Sequence, residues 1–391
     1  METINHSYAP CPLAKKCGGC QMQNISYEKQ LNWKMKTEIG LLSSFGHVEE
    51  ILPMEHPYHY RNKVQAAFGT DRKGKIISGV YQSGTHHIVP VDSCMIEDQK
   101  ADEIIVTIRE LLPSFKILPY NEDTGRGILR HVLGKRGFQS GEIMVVLVTS
   151  SAVFPSRNHF VEALRKKHPD ITTILQNVNP GNTSLVLGEN EKILYGNGFI
   201  TDLLCGLKFR ISSRSFYQIN PIQTEKLYSN AIEFAALSGE EIVIDAYCGV
   251  GTIGLCAAKK AKSVIGIELE RAAVRNAIEN AKLNLIRNTR FYTGDASDFL
   301  EEMASAGEKA DVVFLDPPRA GSTSRFISSV AVLAPEKVIY ISCNPETLAR
   351  DLREFSKHGY KANKIQPVDM FPFTHHVETV VLMTKTDDGE R

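Results

Sequence analysis

From about residue 241 to the C-terminus, short β-branched runs alternate with helix-like stretches, and that alternation leaves few folds open. Residues 241–246 read as a strand, 252–259 as a helix, 263–268 as a strand and 272–284 as a helix. Further strands are expected at 290–293, 312–316, 337–342, 364–370 and, after an irregular segment, 379–384. Strands separated by helices in this way form a parallel sheet covered on both faces, with ligands beyond the carboxyl ends of its strands. The fold class is therefore α/β, with the alternating domain spanning residues 206–391.

Upstream the texture differs. Runs at 63–68, 76–81, 128–133, 142–148 and 171–178 are separated by Gly, Asn and Pro, as in antiparallel strands. Helices are expected at 101–112 and 155–167, so residues 57–205 read as a β-rich central domain. Before it come a cysteine-bearing loop over residues 1–22 and a segment over 23–56. The latter holds a helix at 27–42, with apolar Ile25, Leu31, Met35, Ile39 and Leu42 at mixed three- and four-residue spacing. A chain of 391 residues is long for one core, which agrees with several units. No apolar run approaches the roughly 18–20 residues of a membrane helix, and the N-terminus lacks a secretion pattern, so a cytoplasmic location is expected. The formal net charge is zero, so any nucleic-acid site must come from local clusters. Two stand out: Arg61, Lys63, Arg72, Lys73 and Lys75, and then Arg126, Arg130, Lys135 and Arg136.

The segment 243–254 runs from strand through Gly249-x-Gly251-x-x-Gly254 into a helix, which lets backbone N–H groups approach a ligand closely. Glu268, ending the next strand, is placed to hydrogen-bond ribose hydroxyls. This pattern alone also fits a nicotinamide or flavin enzyme. The rest of the sheet discriminates: Asp316-Pro317-Pro318-Arg319 ends one strand and Ser342-Cys343-Asn344-Pro345 the next. Hydride transfer has no need of a cysteine there, whereas methylation at C5 of a pyrimidine does. C5 becomes nucleophilic only after a soft thiolate adds at C6, and a base must later remove the C5 proton. Cys343 is the candidate nucleophile and Glu378, before the last strand and beside His375 and His376, the candidate base.

Four thiols remain: Cys11-x5-Cys17-x2-Cys20 and the distant Cys94. Such a set suits Zn2+ or an iron–sulfur cluster, and by spacing alone zinc is the commoner occupant.

Four blocks together resemble the uracil-C5 RNA methyltransferase family, which includes 23S rRNA and tRNA 5-methyluridine enzymes. They are Ser215-Phe216-Tyr217-Gln218-Ile219-Asn220, Asp245-Ala246-Tyr247-Cys248-Gly249, the pair Asp316–Arg319 and Ser342–Pro345, and Asp369 through Glu378. The resemblance implies a Rossmann-like S-adenosylmethionine-dependent methyltransferase domain beside the β-rich one, with the 27–42 helix packed on the catalytic domain. It implies that Gln218, Tyr247, Glu268 and Asp316 contact S-adenosylmethionine, that Cys343 attacks C6 and that Glu378 accepts the proton. Thr252 stands where some members carry Asn and is left out of that set. For Cys11, Cys17, Cys20 and Cys94 the rRNA-modifying branch implies a [4Fe-4S] cluster, and with it RNA, most of all 23S rRNA, as partner. Position 54 of tRNA is the alternative target. Some rRNA-modifying relatives have a small RNA-binding barrel ahead of the cysteines; here Cys11 comes almost at once, so that module is expected to be absent. An RNA cytosine-C5 methyltransferase would carry a second, Pro-Cys cysteine where this chain has Asp-Pro-Pro-Arg. A uridine in folded RNA must be flipped out to be reached. Phe371, Phe373, His375 and His376 are candidates to hold it, and Arg61, Lys63, Arg130 and His131 to contact phosphates.

Overall fold

The computed structural model describes residues 11–181 and 185–386. Residues 1–10 of the expected cysteine segment, 182–184 of the central domain and 387–391 at the end lie outside the described residues. Helices α1 (Ala14–Cys17) and α2 (Tyr27–Leu42) lead into a seven-stranded sheet. Its strands are β1 (Lys63–Thr70), β2 (Ile76–Tyr81), β3 (Ile88–Pro90), β4 (Leu129–Arg136), β5 (Ile143–Thr149), β6 (Ile171–Val178) and β7 (Asn190–Tyr195). They lie in the order β3-β2-β1-β4-β5-β6-β7. Helices α3 (Gln99–Leu111) and α4 (Arg157–Lys167) cover one face. The antiparallel expectation fails at one place, since β5 and β6 run parallel. A parallel neighbour needs a crossover, and α4 supplies it.

Strand β5 shows how the two halves of the molecule are joined. All seven of its residues are buried, as in a strand covered on both faces. Ile143, Val145 and Leu147 point into the core beneath α3 and α4. Met144, Val146 and Val148 point the other way, into a core shared with the second sheet. A hairpin of β8 (Ile200–Leu204) and β9 (Leu207–Ile211) adds Ile200, Leu204 and Phe209 to that shared core.

After α5 (Pro221–Ala235) the second sheet begins. It contains β10 (Ile242–Ala246), β11 (Ser263–Glu268), β12 (Thr289–Thr293), β13 (Val312–Leu315), β14 (Lys337–Ser342), β15 (Tyr360–Val368) and β16 (Glu378–Lys385). Between them run α6 (Thr252–Ala258), α7 (Arg271–Leu283), α8 (Ala296–Ser305), α9 (Ser324–Leu333) and α10 (Pro345–Lys357). The order is β12-β11-β10-β13-β14-β16-β15, parallel through β14, with β16 inserted antiparallel between β14 and β15. The strand order reverses between the parallel neighbours β10 and β13, so the crevice for a ligand lies beyond Ala246 and Leu315. Among the described residues no helix is long and apolar enough to cross a membrane.

Helix α2 packs on α10 and β15, but not by the face its apolar spacing predicts. The buried stripe is Gln30, Lys34, Glu38 and Leu42, while Trp33 and Ile39 are exposed. The reason lies opposite it, in the loop from Asp369 to Glu378. Lys34 Nζ donates to Asp369 Oδ1 at 2.5 Å and to the Phe371 carbonyl at 3.1 Å. Tyr27 donates its hydroxyl proton to Asp369 Oδ2 at 2.6 Å, and Gln30 Oε1 accepts from the Phe373 N–H at 2.8 Å. Thr379 Oγ1 donates to Glu38 Oε2 at 2.8 Å. Polar groups enter this interior because each finds a partner across the interface.

Candidate active site

The turn from β10 into α6 is shaped by left-handed residues: Tyr247, Gly249 and Gly251 have φ of 64°, 56° and 82°. Gly251 caps α6 in this conformation, which a side chain would strain. Gly254 is fixed by contact instead, since a Cβ there would lie 2.7 Å from Asp245 Oδ2. That carboxylate oxygen accepts from the Gly254 N–H at 2.8 Å and holds the helix start against the strand. Glu268 closes the loop from the side: its Oε2 accepts from Gly249 N–H at 3.0 Å and its Oε1 from Glu270 N–H at 2.9 Å. Each oxygen keeps a lone pair for a further donor. Gly249 and Glu268 line a cavity of about 540 Å³ with Ser215, Phe216 and Asn276. A glycine loop, a strand-end carboxylate and an exposed aromatic wall suit a nucleoside-bearing ligand.

A second cavity, about 280 Å³, holds Cys343. The cysteine follows β14 directly, and Asn344 ends the turn by capping α10, its Oδ1 accepting from the Glu346 N–H at 3.0 Å. Arg319, Trp33, His375 and His376 form the facing wall. Arg319 Nη2 donates to His376 Nε2 at 3.1 Å. A guanidinium has no acceptor, so the neutral imidazole carries its proton on Nδ1. Glu378, buried at the first position of β16, acts electrostatically on Cys343. Burial, with Glu378 and Asp316 nearby, pushes the Cys343 thiol up to about 11, while Arg319 pulls it down. Burial likewise lifts the Glu378 carboxyl well above its usual range, aided by Asp316 and opposed by Arg319. Asp316, at the end of β13, is pushed up by burial to about 7.

Since the thiolate is the reactive form, alkylation of Cys343 in the ligand-free protein should be slow at pH 7. It should accelerate about tenfold per pH unit as the pH rises towards the ionisation midpoint near pH 11, and level off above it. Arg319→Gln should move that midpoint higher, because the group removed favours the thiolate. Peptide-resolved iodoacetamide labelling measures both. A midpoint at the ordinary thiol value contradicts the described environment.

The tRNA (Uracil-5-)-methyltransferase family profile matches residues 187–386, which contain both cavities' strand-end residues. The chain belongs to this family. It is 44% identical to an uncharacterized RNA methyltransferase of Clostridium tetani, over all of this chain and 85% of that one. A Halalkalibacterium halodurans protein of the same description is 43% identical over 96% of this chain and 83% of its own. Among solved structures, the Pyrococcus abyssi tRNA (uracil-54, C5)-methyltransferase in complex with S-adenosyl-L-homocysteine superposes with a TM-score of 0.79. That pair is 28% identical, covering 94% of this chain and 86% of the other.

Within this family member the residues singled out from the sequence fall into groups. Cys343, Glu378 and Asp316 cluster at the strand ends, and Glu268 lines the larger cavity. Gln218 lies two positions beyond Phe216 of that cavity, and its carbonyl accepts from Asn62 Nδ2 at 3.2 Å. The Tyr247 ring packs on Phe326, centroids 5.3 Å apart. Thr252 Oγ1 is hydrogen-bonded to the Tyr228 hydroxyl at 3.2 Å.

Other expectations need correction. Phe373 is a core residue between Tyr27 and Tyr58, not a base-holding one. Arg130 is buried, paired with Glu122 at 3.1 Å and donating to the Asn179 and Gly181 carbonyls. Buried His131 is held neutral, its pKa lowered by burial to about 4. Neither is available to a phosphate, while Lys63 is exposed. Arg319 was noted only within its strand-end block, with no role of its own, and Trp33 was missed. A charged residue after Pro-Pro and a lone tryptophan amid polar residues were the signals available.

The cysteines depart further from expectation. Among the described residues no group of three or more His, Cys, Asp or Glu side chains is arranged to hold a metal ion. Cys11, Cys17 and Cys20 lie within electrostatic reach of one another. Cys20 and Cys94 pack against an apolar knot of Met54, Tyr60, Ile96 and Phe373. Burial raises the Cys17, Cys20 and Cys94 thiols, so binding a metal there would release protons.

Proposed function

We propose that this chain transfers a methyl group from S-adenosylmethionine to C5 of a uridine in RNA, with 23S rRNA as the substrate. The observation that carries the reading is the nearness of buried Glu378 to Cys343, which lines one cavity, in a chain that also forms a glycine-loop cavity. Family membership supports uracil C5 as the acceptor. S-Adenosylmethionine, once bound in the larger cavity with Glu268 toward its ribose, would supply the methyl group from its sulfonium.

The remaining work falls to the chain. The Cys343 thiolate adds to C6, and the ring pair displaced becomes an enolate nucleophilic at C5. After C5 gains the methyl, Glu378 takes the C5 proton. The C5–C6 double bond re-forms as the sulfur–C6 bond breaks, and the thiolate returns. Burial suits Glu378 to this step by making it a stronger base than an exposed carboxylate, though it must first lose its own proton. Arg319 eases ionisation of both groups.

Glu378→Gln should leave addition and methyl transfer intact but stall elimination. A covalent protein–RNA complex that survives denaturing electrophoresis is the expected result; normal turnover with no trapped complex removes Glu378 from this role. The substrate is tested by methyl transfer from labelled S-adenosylmethionine to separated 23S rRNA, 16S rRNA and tRNA from a strain lacking the gene. 5-Methyluridine in 23S rRNA is expected. The likeness to the P. abyssi enzyme favours a second reading, position 54 of tRNA, which product in tRNA alone would establish.

The spacing of Cys11, Cys17, Cys20 and Cys94 leads us to propose a [4Fe-4S] cluster there as well. The nearness of the first three supports it, and their present arrangement does not. Protein purified without oxygen should contain iron and sulfide and be brown, and Cys17→Ser or Cys20→Ser should bleach it. A colourless wild type, with or without zinc, defeats the assignment.

A further inference from the structure

Helix α2 buries Gln30, Lys34 and Glu38 yet leaves Trp33 41% exposed. Trp33 is the only tryptophan in the chain. Its ring stacks on His375, centroids 4.8 Å apart and planes 30° apart, and His375 is also exposed. Both line the Cys343 cavity with Arg319 and His376. An exposed aromatic pair loses the burial that makes aromatic side chains stabilising, so its packing does not account for its position. The loop bearing His375 is also firmly held: Lys34, Gln30 and Tyr60 all bond its backbone.

At about 280 Å³ the cavity lies at the small end of ligand pockets and has room for one base beside the thiol. A strand of RNA delivering that base must pass over the rim, where the indole stands. We infer that Trp33 and His375 form a stacking platform for the unpaired base adjoining the target uridine. This rests on the RNA reading above. Every base presents a π-face, so such a platform tolerates sequence while fixing where the strand lies. Arg319, in the same wall, places positive charge beside it for the backbone phosphate.

One tryptophan makes the test direct. The full chain, with S-adenosylhomocysteine present to prevent turnover, is titrated with a short RNA hairpin bearing an unpaired uridine in its loop. Indole emission should fall to a plateau with RNA and not with S-adenosylhomocysteine alone. In methyl-transfer assays Trp33→Ala should raise the KM for RNA about 10- to 100-fold, the loss falling on KM rather than kcat. Trp33→Phe should recover most of it, which a purely structural role would not require. Unchanged emission at RNA saturation overturns the platform, as does a Trp33→Ala KM within twofold of wild type. Nucleoside analysis separates this from the reading it rests on. Quenching without 5-methyluridine sinks the catalytic assignment and supports the platform; 5-methyluridine with an unmoved KM overturns the platform alone.

Discussion

Cys343→Ala should abolish methyl transfer, lowering kcat by roughly 10⁵- to 10⁶-fold, as loss of a covalent nucleophile does elsewhere. C5 of uracil is a poor nucleophile until C6 is attacked, and the rest of the Cys343 wall offers no side chain of comparable nucleophilicity: Arg319 is cationic, and His376 Nε2 already accepts from Arg319. Cys343→Ser should recover little, because a hydroxyl is far less ionised and less polarisable than a thiol. S-Adenosylmethionine affinity, measured by calorimetry, should change little, since Cys343 does not line the cavity of Gly249 and Glu268. Activity of the alanine variant within tenfold of wild type would mean that the thiol is not the nucleophile.

Asp369→Ala should cost about 3–5 kcal/mol of folding stability, the magnitude seen when one partner of a buried ion pair is removed. Lys34 and Asp369 both have fully buried side chains and meet at 2.5 Å. Burial already lowers the Lys34 pKa despite the attraction of Asp369, so the ammonium is held at a net cost even with its partner present. Without the carboxylate, the Tyr27 hydroxyl also loses its acceptor. Urea denaturation should show the midpoint falling with little change in slope. Lys34→Met combined with Asp369→Leu should recover much of the loss, because an apolar pair leaves no unpaired charge. A loss below 1 kcal/mol for Asp369→Ala would contradict the pairing. The variant should also lower kcat, since this pair anchors the loop that carries His375, His376 and Glu378.

The catalytic half was legible because its rules are local. Strand runs such as 263–268 and 337–342 match their observed bounds, and Cys343 sits at a strand end where β-α alternation put it. Helix α2 was legible as a helix but not in its orientation. Apolar periodicity could not show that Gln30, Lys34 and Glu38 face inward, because their partners lie more than 330 residues away in sequence. Arg130 and His131 misled for a related reason. A basic run shows charge but not burial, and here β4 turns both into the protein. The parallel β5–β6 pair likewise depended on α4 acting as a crossover rather than an interruption.

Covalent catalysis by Cys343 is tested by incubating the enzyme and S-adenosylmethionine with RNA carrying 5-fluorouridine at the target, then mapping the adduct by peptide mass spectrometry. Fluorine at C5 cannot leave as a proton does, so the intermediate should accumulate after methyl transfer. A methylated 5-fluorouridine nucleotide on the Cys343 peptide is expected. Free Cys343 in an enzyme that turns over ordinary RNA, or an adduct on another residue, would contradict it.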